Sequence, residues 1–292
     1  MAHQVRILHD PTQKTIRMHY ANCNTYNADY DGDEMNCHFP QSDVARAEAK
    51  YIAQTDLQYI VPTDGSPLRG LIQDHVCGGV KMTQRDTFFK RWECQQLLFA
   101  TLASLPRLEV LESNQDIQMV PPAILKPQPL WTGKQVITTL LLHLCNSPRG
   151  RKQTNNNVVD HDNDSRIGMI RRGGISLERK SKTPGTAFGE CHEEHLVVIR
   201  NGELLRGVLD KAAFGATDFS LVHGVYEAYG PTKAGLLLNS LGRLFTAYIQ
   251  YYSGHSCRME DLVLTKDSDK IRREMVQVSL IIHFLLVTCS CL

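Results

Sequence analysis

The chain has 292 residues, of which 42% are hydrophobic and 22% are charged, and its formal net charge is +1. This composition is typical of a soluble globular protein of one or two domains, and the balanced charge argues against a free-standing DNA-binding protein. The nine cysteines include no CxxC pair, which excludes a zinc ribbon. Their odd number, in a chain whose start carries no secretory signal, favours reduced thiols in the cytosol or nucleus.

The first elements surround an acidic loop. Residues 15–20 alternate apolar and polar side chains and predict a strand, and residues 27–40 predict a loop. Ser42 is placed to cap a helix over residues 42–55. The expected inner face of that helix carries Val44, Ala45, Ala49 and Ile52. Residues 63–67 predict a turn.

The middle of the chain predicts two helices separated by a proline-rich stretch. Thr83 and Asp86 resemble a capping box that opens a helix through Leu98. Residues 121–129 are rich in proline and exclude a helix, and residues 132–144 predict the second helix.

Residues 146–195 contain few large apolar side chains. They cannot bury enough surface to offset their ordering entropy and predict a disordered insert. A strand follows over residues 196–199, and Asn201-Gly202 is typical of a two-residue hairpin turn. Helices are then predicted over residues 218–229 and 232–252.

The sequence from Val276 to Leu292 is almost entirely apolar. Its length is close to the lower limit for crossing a bilayer, about 17–25 residues, so a tail anchor is one hypothesis for this end.

The most informative stretch is NADYDGDEMN, residues 27–36, which we call the aspartate loop. It places Asp29, Asp31 and Asp33 at alternate positions, and Gly32 allows the tight turn that makes their carboxylates converge. Three anions this close call for a counter-cation, and oxygen-only ligands suit magnesium, manganese or calcium.

Three alternative interpretations were weighed. A solvated acidic turn is the plain alternative for the aspartates, since Asp and Gly are common turn residues. A calcium-binding EF-hand fails in detail, because Glu34 stands where that motif needs glycine and Pro40 where it needs the closing glutamate. A zinc motif at CHEEH, residues 191–195, also fails, since its histidines are three residues apart where a helical site needs four.

The aspartate loop resembles the signature of the largest subunit of cellular RNA polymerases, in which phenylalanine usually stands at the position of Tyr30. The sequences HFPQS after the loop and LIQDH further on look most like polymerase I among the eukaryotic enzymes. Further stretches that resemble the family are GLIQD (70–74), LWTGKQ (130–135), GELLRGVLDK (202–211) and LFTAY (244–248).

The resemblance implies an α+β fold. Residues 1–60 would form part of a double-psi β-barrel that carries the aspartate loop, and residues 61–252 a mixed pore region that contains the insert. Residues 253–275 would begin the funnel-type helices, and residues 276–292 would be an apolar tail foreign to the family.

The resemblance also implies a function, which is template-directed transfer of nucleotides from nucleoside triphosphates to the RNA 3′-hydroxyl. Asp29, Asp31 and Asp33 would hold the permanent Mg²⁺ of a two-magnesium mechanism, and Asn27 would lie near the nucleotide sugar. The expected partners are the DNA template, the RNA transcript and other polymerase subunits, notably the second-largest, in the nucleus and its nucleolus. No membrane partner is expected.

Two alternatives remain open at this point. The family's bridge helix and trigger loop have no counterpart in the sequence, so the chain resembles an internal fragment of such a subunit. It is then either part of a catalytic subunit or a non-catalytic truncated remnant. A tail-anchored membrane protein is the less favoured alternative.

Overall fold

The computed structural model describes residues 1–102, 117–145 and 174–289, with side chains up to residue 282. These residues form two compact units, Met1–Gly254 and His255–Leu292.

The first unit combines eight α-helices with two small sheets in its described residues. The helices are α1 Cys23–Tyr26, α2 Asp43–Tyr51, α3 Asp74–Thr83, α4 Arg91–Leu102, α5 Gly133–Cys145, α6 Lys211–Phe214, α7 Leu221–Tyr229 and α8 Pro231–Tyr251. The strands are β1 Phe88–Lys90, β2 Leu130–Thr132, β3 Leu177–Lys180, β4 Leu196–Arg200 and β5 Glu203–Arg206. Short 3-10 segments occupy Tyr20–Asn22, Thr55–Leu57 and Gly185–His195.

The core is organised around the long helix α8, which packs against α3, α4, α5 and α7. Its apolar residues recur at helical spacing, and Leu237, Leu241 and Phe245 are fully or almost fully buried. Phe245 meets Phe214 of α6 at a ring-centroid separation of 5.1 Å. A Cβ added at Gly79 would lie 2.5 Å from the Phe214 ring, so α3 can approach these rings only because Gly79 has no side chain.

The two sheets are antiparallel. Strand β1 pairs with β2, and the second sheet has the order β3-β4-β5. The predicted hairpin is confirmed, because Asn201 and Gly202 connect β4 to β5 with φ angles of 51° and 82°. Both residues therefore occupy the left-handed region that a tight hairpin turn requires.

The predicted insert, residues 146–195, is ordered in its described part. Residues 146–173 lie outside the described residues, but Leu177–Lys180 forms strand β3 and pairs with Leu196–Ile199 of β4. Disorder is therefore the wrong prediction for residues 174–195. Low apolar content was a poor guide, because β4 supplies the hydrogen bonds of β3, Ile175 is buried in the core and Leu177 packs against it.

Two other local predictions are wrong. Residues 15–20 form no strand, because the described residues offer them no partner strand and Ile16 is 58% exposed. Thr83 ends α3 instead of opening the next helix. Its hydroxyl donates to the Gly79 carbonyl at 2.7 Å and accepts from the Leu209 amide at 2.9 Å, so it serves as a buried link.

Helix α2 confirms the predicted cap but not the predicted burial. The Ser42 hydroxyl accepts a hydrogen bond from the Ala45 amide. However, Val44 is 79% exposed and Ile52 64%, while Ala45 and Ala49 are only partly buried, so the described chain leaves much of this apolar face uncovered.

In the second unit, a 3-10 turn at Met259–Leu262 precedes helix α9, Lys266–Cys289. Among the residues that the structure describes, no helix combines the length and the apolar character needed to cross a membrane. Residues 290–292 of the apolar tail to which the tail-anchor hypothesis applies lie outside the described residues. The architecture confirms the α+β class, and the sheets of the described residues form no closed barrel.

Candidate metal centre

The three predicted aspartates converge in the loop that follows α1. One carboxylate oxygen from each of Asp29, Asp31 and Asp33 lies within 4.8 Å of the others. The Asp29 amide also donates to Oδ2 of Asp33 at 3.1 Å, which closes the loop on itself. All three side chains are exposed, so ions in solution can reach them. In the described parts of the chain, no other group of three acidic, histidine or cysteine side chains is arranged to hold a metal.

Gly32 makes this convergence possible. Its φ angle is +126°, a conformation that L-residues rarely adopt, while a Cβ at this position would meet no atom within 4 Å. The glycine is therefore required by the backbone conformation and not by crowding.

The neighbouring carboxylates raise the proton affinity of Asp29. The pKa of Asp29 is raised, first by a hydrogen bond with Asp31, then by partial desolvation and by the negative charges of Asp31 and Asp33. A bound cation would relieve this repulsion, since an opposite charge favours the ionised form. The aspartate loop thus has the charge and the donor atoms of a divalent-cation site.

Asn27 is exposed and ends α1 in a left-handed conformation, with φ 47° and ψ 38°. Asparagine tolerates this conformation better than most residues. The Asn27 amide donates to the Asn24 carbonyl, and the next amide, of Ala28, donates to the Cys23 carbonyl. Asn27 therefore directs the chain from the helix into the aspartate loop.

The base of the loop is fixed by a buried arginine that the sequence analysis missed. Arg69 donates from Nε to Asn22 Oδ1 at 3.1 Å and from Nη1 to Asp56 Oδ1 at 2.9 Å. One residue before it, the Leu68 carbonyl accepts from Asn24 Nδ2 at 3.0 Å. The start of α1 is thus held in place by a segment more than 40 residues away in sequence.

A chain of rings, also missed, connects the aspartate loop to the core. Cys23 Sγ and the Tyr30 hydroxyl lie 3.1 Å apart. The Tyr30 ring lies 5.7 Å from the Tyr20 ring, which meets His75 edge-on at 4.8 Å. His75 Nε2 in turn lies 3.1 Å from the Thr246 hydroxyl of α8. We call Tyr30, Tyr20 and His75 the aromatic chain.

The CHEEH motif, residues 191–195, serves structural contacts. His192 Nδ1 lies 3.2 Å from the Gly185 carbonyl, and His195 Nδ1 lies 2.5 Å from the His192 carbonyl, so both histidines stabilise their own segment. Lys134, in the Gly-Lys pair at the start of α5, forms an ion pair with Glu194.

The chain matches two family models. Residues 58–262 match "RNA polymerase Rpb1, domain 3" and residues 1–55 match "RNA polymerase Rpb1, domain 2".

Relatives agree with these matches. The DNA-directed RNA polymerase I subunit rpa1 of Schizosaccharomyces pombe is 50% identical over 95% of the chain and 15% of its own length. The subunit RPA190 of polymerase I from Saccharomyces cerevisiae is 44% identical over 96% of the chain and 15% of its own length. The polymerase III subunit rpc1 of Dictyostelium discoideum is 30% identical over 96% of the chain and 17% of its own length.

The chain therefore spans about 15% of the length of its polymerase I relatives. Similarity is higher to these polymerase I subunits than to the polymerase III subunit, as the sequence resemblance predicted. The family matches together cover residues 1–55 and 58–262, which is most of the chain. The chain belongs to the Rpb1 family of RNA polymerase largest subunits and is most like its polymerase I members.

Proposed function

We propose that this chain forms the catalytic segment of a DNA-directed RNA polymerase largest subunit of the polymerase I type, and that Asp29, Asp31 and Asp33 hold its Mg²⁺. The observation that carries the proposal is the convergence of three carboxylates within 4.8 Å, in a chain of the Rpb1 family.

The residues fit the ion by three criteria. Mg²⁺ prefers hard oxygen ligands and usually keeps several waters, so an exposed set of carboxylates suits it better than an enclosed cage. The pKa of Asp29 is raised by its hydrogen bond with Asp31, by desolvation and by the charges of Asp31 and Asp33, and a bound cation would oppose this rise by favouring the ionised form. No nitrogen or sulfur ligand lies among the three residues, which argues against zinc.

When bound, Mg²⁺ supplies a Lewis acid that lowers the pKa of the RNA 3′-hydroxyl and, with a second ion carried by the triphosphate, neutralises charge at the α-phosphate and the leaving group. The three aspartates would hold the ion in a fixed position relative to the reacting groups. Phosphoryl transfer needs mainly positioning and charge neutralisation, so no protein nucleophile is required. Asn27, at the edge of the aspartate loop, would sense the ribose 2′-hydroxyl through its amide.

The remaining assignments follow from the family. Residues 1–60 would supply part of a double-psi β-barrel. The exposed apolar side chains of α2 are consistent with further polymerase segments packing against that helix. The pore region and the first funnel-type helices would follow at 61–252 and 253–275. The working complex would contain the DNA template, the RNA transcript, nucleoside triphosphates and the second-largest subunit, in the nucleolus.

A chimera tests the proposal. The matching 277 residues of the Schizosaccharomyces pombe rpa1 subunit would be replaced by this chain, and template-dependent RNA extension would be measured on the purified polymerase. We expect extension by the chimera and its loss in Asp31→Ala, because the variant removes both a metal ligand and its charge. The control is Asp43→Ala, which removes a carboxylate of α2 that is 98% exposed.

The outcomes separate the two functional hypotheses. An active chimera whose activity survives Asp31→Ala would refute the metal assignment. An assembled but inactive chimera would favour the non-catalytic remnant.

A further inference from the structure

We propose that Tyr30 is the positioning residue of the aspartate loop, and that its hydroxyl contact with Cys23 and its ring contact with Tyr20 set the affinity of the three aspartates for a divalent cation. The inference rests on the proposed function, because it concerns the same site.

The position of Tyr30 within the loop is the first argument. It lies between Asp29 and Asp31, yet its side chain reaches back to the start of α1, where its hydroxyl meets Cys23 Sγ at 3.1 Å. The two partners are seven positions apart in sequence, so this contact closes the chain into a ring that contains Asn27 and Asp29. A Cβ added at Gly32 would meet no atom within 4 Å, so the space beside the turn of the loop is open.

The second argument is the rigidity of the far end of the aromatic chain. Centroid separations of 5.7 Å and 4.8 Å lie in the range of favourable ring contacts, about 4.5–7 Å. His75 ends the series on α3 and is tied to Thr246, whose hydroxyl also donates to the Gly242 carbonyl within α8. A Cβ at Gly242 would lie only 3.1 Å from His75 Cε1, so the imidazole sits directly on α8.

The third argument is that the carboxylates themselves provide little restraint. Their interactions within the described residues are mutual, such as the Asp29 amide with Asp33, and all three side chains are exposed. Mutually repelling anions spread apart unless another group holds the backbone. Tyr30 is the loop residue that contacts both Cys23 of α1 and the Tyr20 ring, so its side chain is placed to provide that restraint.

The test measures binding of Mn²⁺ to the full chain by electron paramagnetic resonance, with Mn²⁺ as the probe. Tyr30→Ala removes both contacts and is expected to weaken binding about tenfold. Tyr30→Phe and Cys23→Ala each remove the hydroxyl contact and should weaken binding about threefold. The double variant Cys23→Ala with Tyr30→Phe should be no weaker than either single variant, because both changes delete the same contact.

The matched control is Tyr51→Ala, which removes a tyrosine of α2 that is 69% exposed and outside the aromatic chain. It should bind Mn²⁺ as the unsubstituted chain does. Binding by Tyr30→Ala within twofold of the unsubstituted chain would overturn the proposal, and so would an equal loss in Tyr51→Ala.

Hydrogen exchange separates this inference from the proposed function. If the unsubstituted chain takes up no Mn²⁺, the metal site fails, and the role of Tyr30 is then decided by amide exchange in residues 27–36. Faster exchange in Tyr30→Ala than in Asp31→Ala would support positioning by Tyr30, whereas equal exchange in the two variants and the unsubstituted chain would refute it.

Discussion

Acid should destabilise the first unit through His75. This side chain is 7% exposed, and burial first, then the charge of His19, lowers its pKa from 6.5 to about 4, with Asp74 opposing the shift. The unfolded chain therefore binds the proton more tightly than the folded chain. The stabilising contribution is complete above pH 6.5, declines as the pH falls from 6.5 towards 4, and is fully lost below about pH 4.

Between pH 7 and pH 5 this linkage amounts to about 2 kcal/mol of unfolding free energy. The assay is urea unfolding followed by circular dichroism at both pH values, with His75→Gln as the test variant. His75→Gln should lower the unfolding free energy at pH 7, because it disturbs the contact with Thr246. Between pH 7 and pH 5, however, the variant should lose about 2 kcal/mol less unfolding free energy than the unsubstituted chain does.

The control, His38→Gln, changes an exposed histidine in the segment after the aspartate loop and should keep the full pH dependence. The explanation is refuted if His75→Gln loses as much stability between pH 7 and pH 5 as the unsubstituted chain does. The pKa of His19 is also lowered, by burial and by the charge of Arg69. Because His19 is present in both the unsubstituted chain and His75→Gln, its contribution to the pH dependence cancels to first order when these two proteins are compared.

Two further predictions concern stability at neutral pH. Ser220→Ala removes the side-chain cap of α7, where the Ser220 hydroxyl accepts from the His223 amide, and should lower the unfolding free energy by about 1 kcal/mol in urea titrations. Gly79→Ala places a methyl group 2.5 Å from the Phe214 ring and should lower the unfolding free energy by about 2 kcal/mol in the same assay. The control, Gly254→Ala, lies at a position with open space and should lower it by less than about 0.5 kcal/mol, the scale of an ordinary surface change. Equal stability of the Gly79 and Gly254 variants would contradict the packing described for α3.

The sequence predicted elements whose cause is local. The Ser42 cap, the Asn201-Gly202 hairpin and helix α8 each depend on residues within a few positions, and the structure has all three. The aspartates could also be found from sequence, because they alternate within five residues and Gly32 allows the turn that brings them together.

What could not be predicted depends on distant partners. Arg69 reads as an ordinary surface charge until Asn22 and Asp56 are known to lie beside it. Residues 15–20 alternate as a strand does, but alternation is stable as a strand only when a second strand supplies hydrogen bonds. Asp74 and Cys77 flank His75 in the sequence, but neither indicates its contact with Thr246, which lies 171 residues away.

The position of α8 along the chain has a consequence for synthesis. The helix buries faces of α3 and α4 that precede it by well over a hundred residues, as the contacts of His75 with Thr246 and of Ala100 with Arg243 indicate. A ribosome that adds about 5–20 residues per second completes that interval in roughly 10–30 s. Throughout that time the apolar faces of α3 and α4 lack the helix that covers them. The nascent chain is therefore a substrate for chaperones until α8 emerges, and pausing of the ribosome before residue 231 should increase its aggregation.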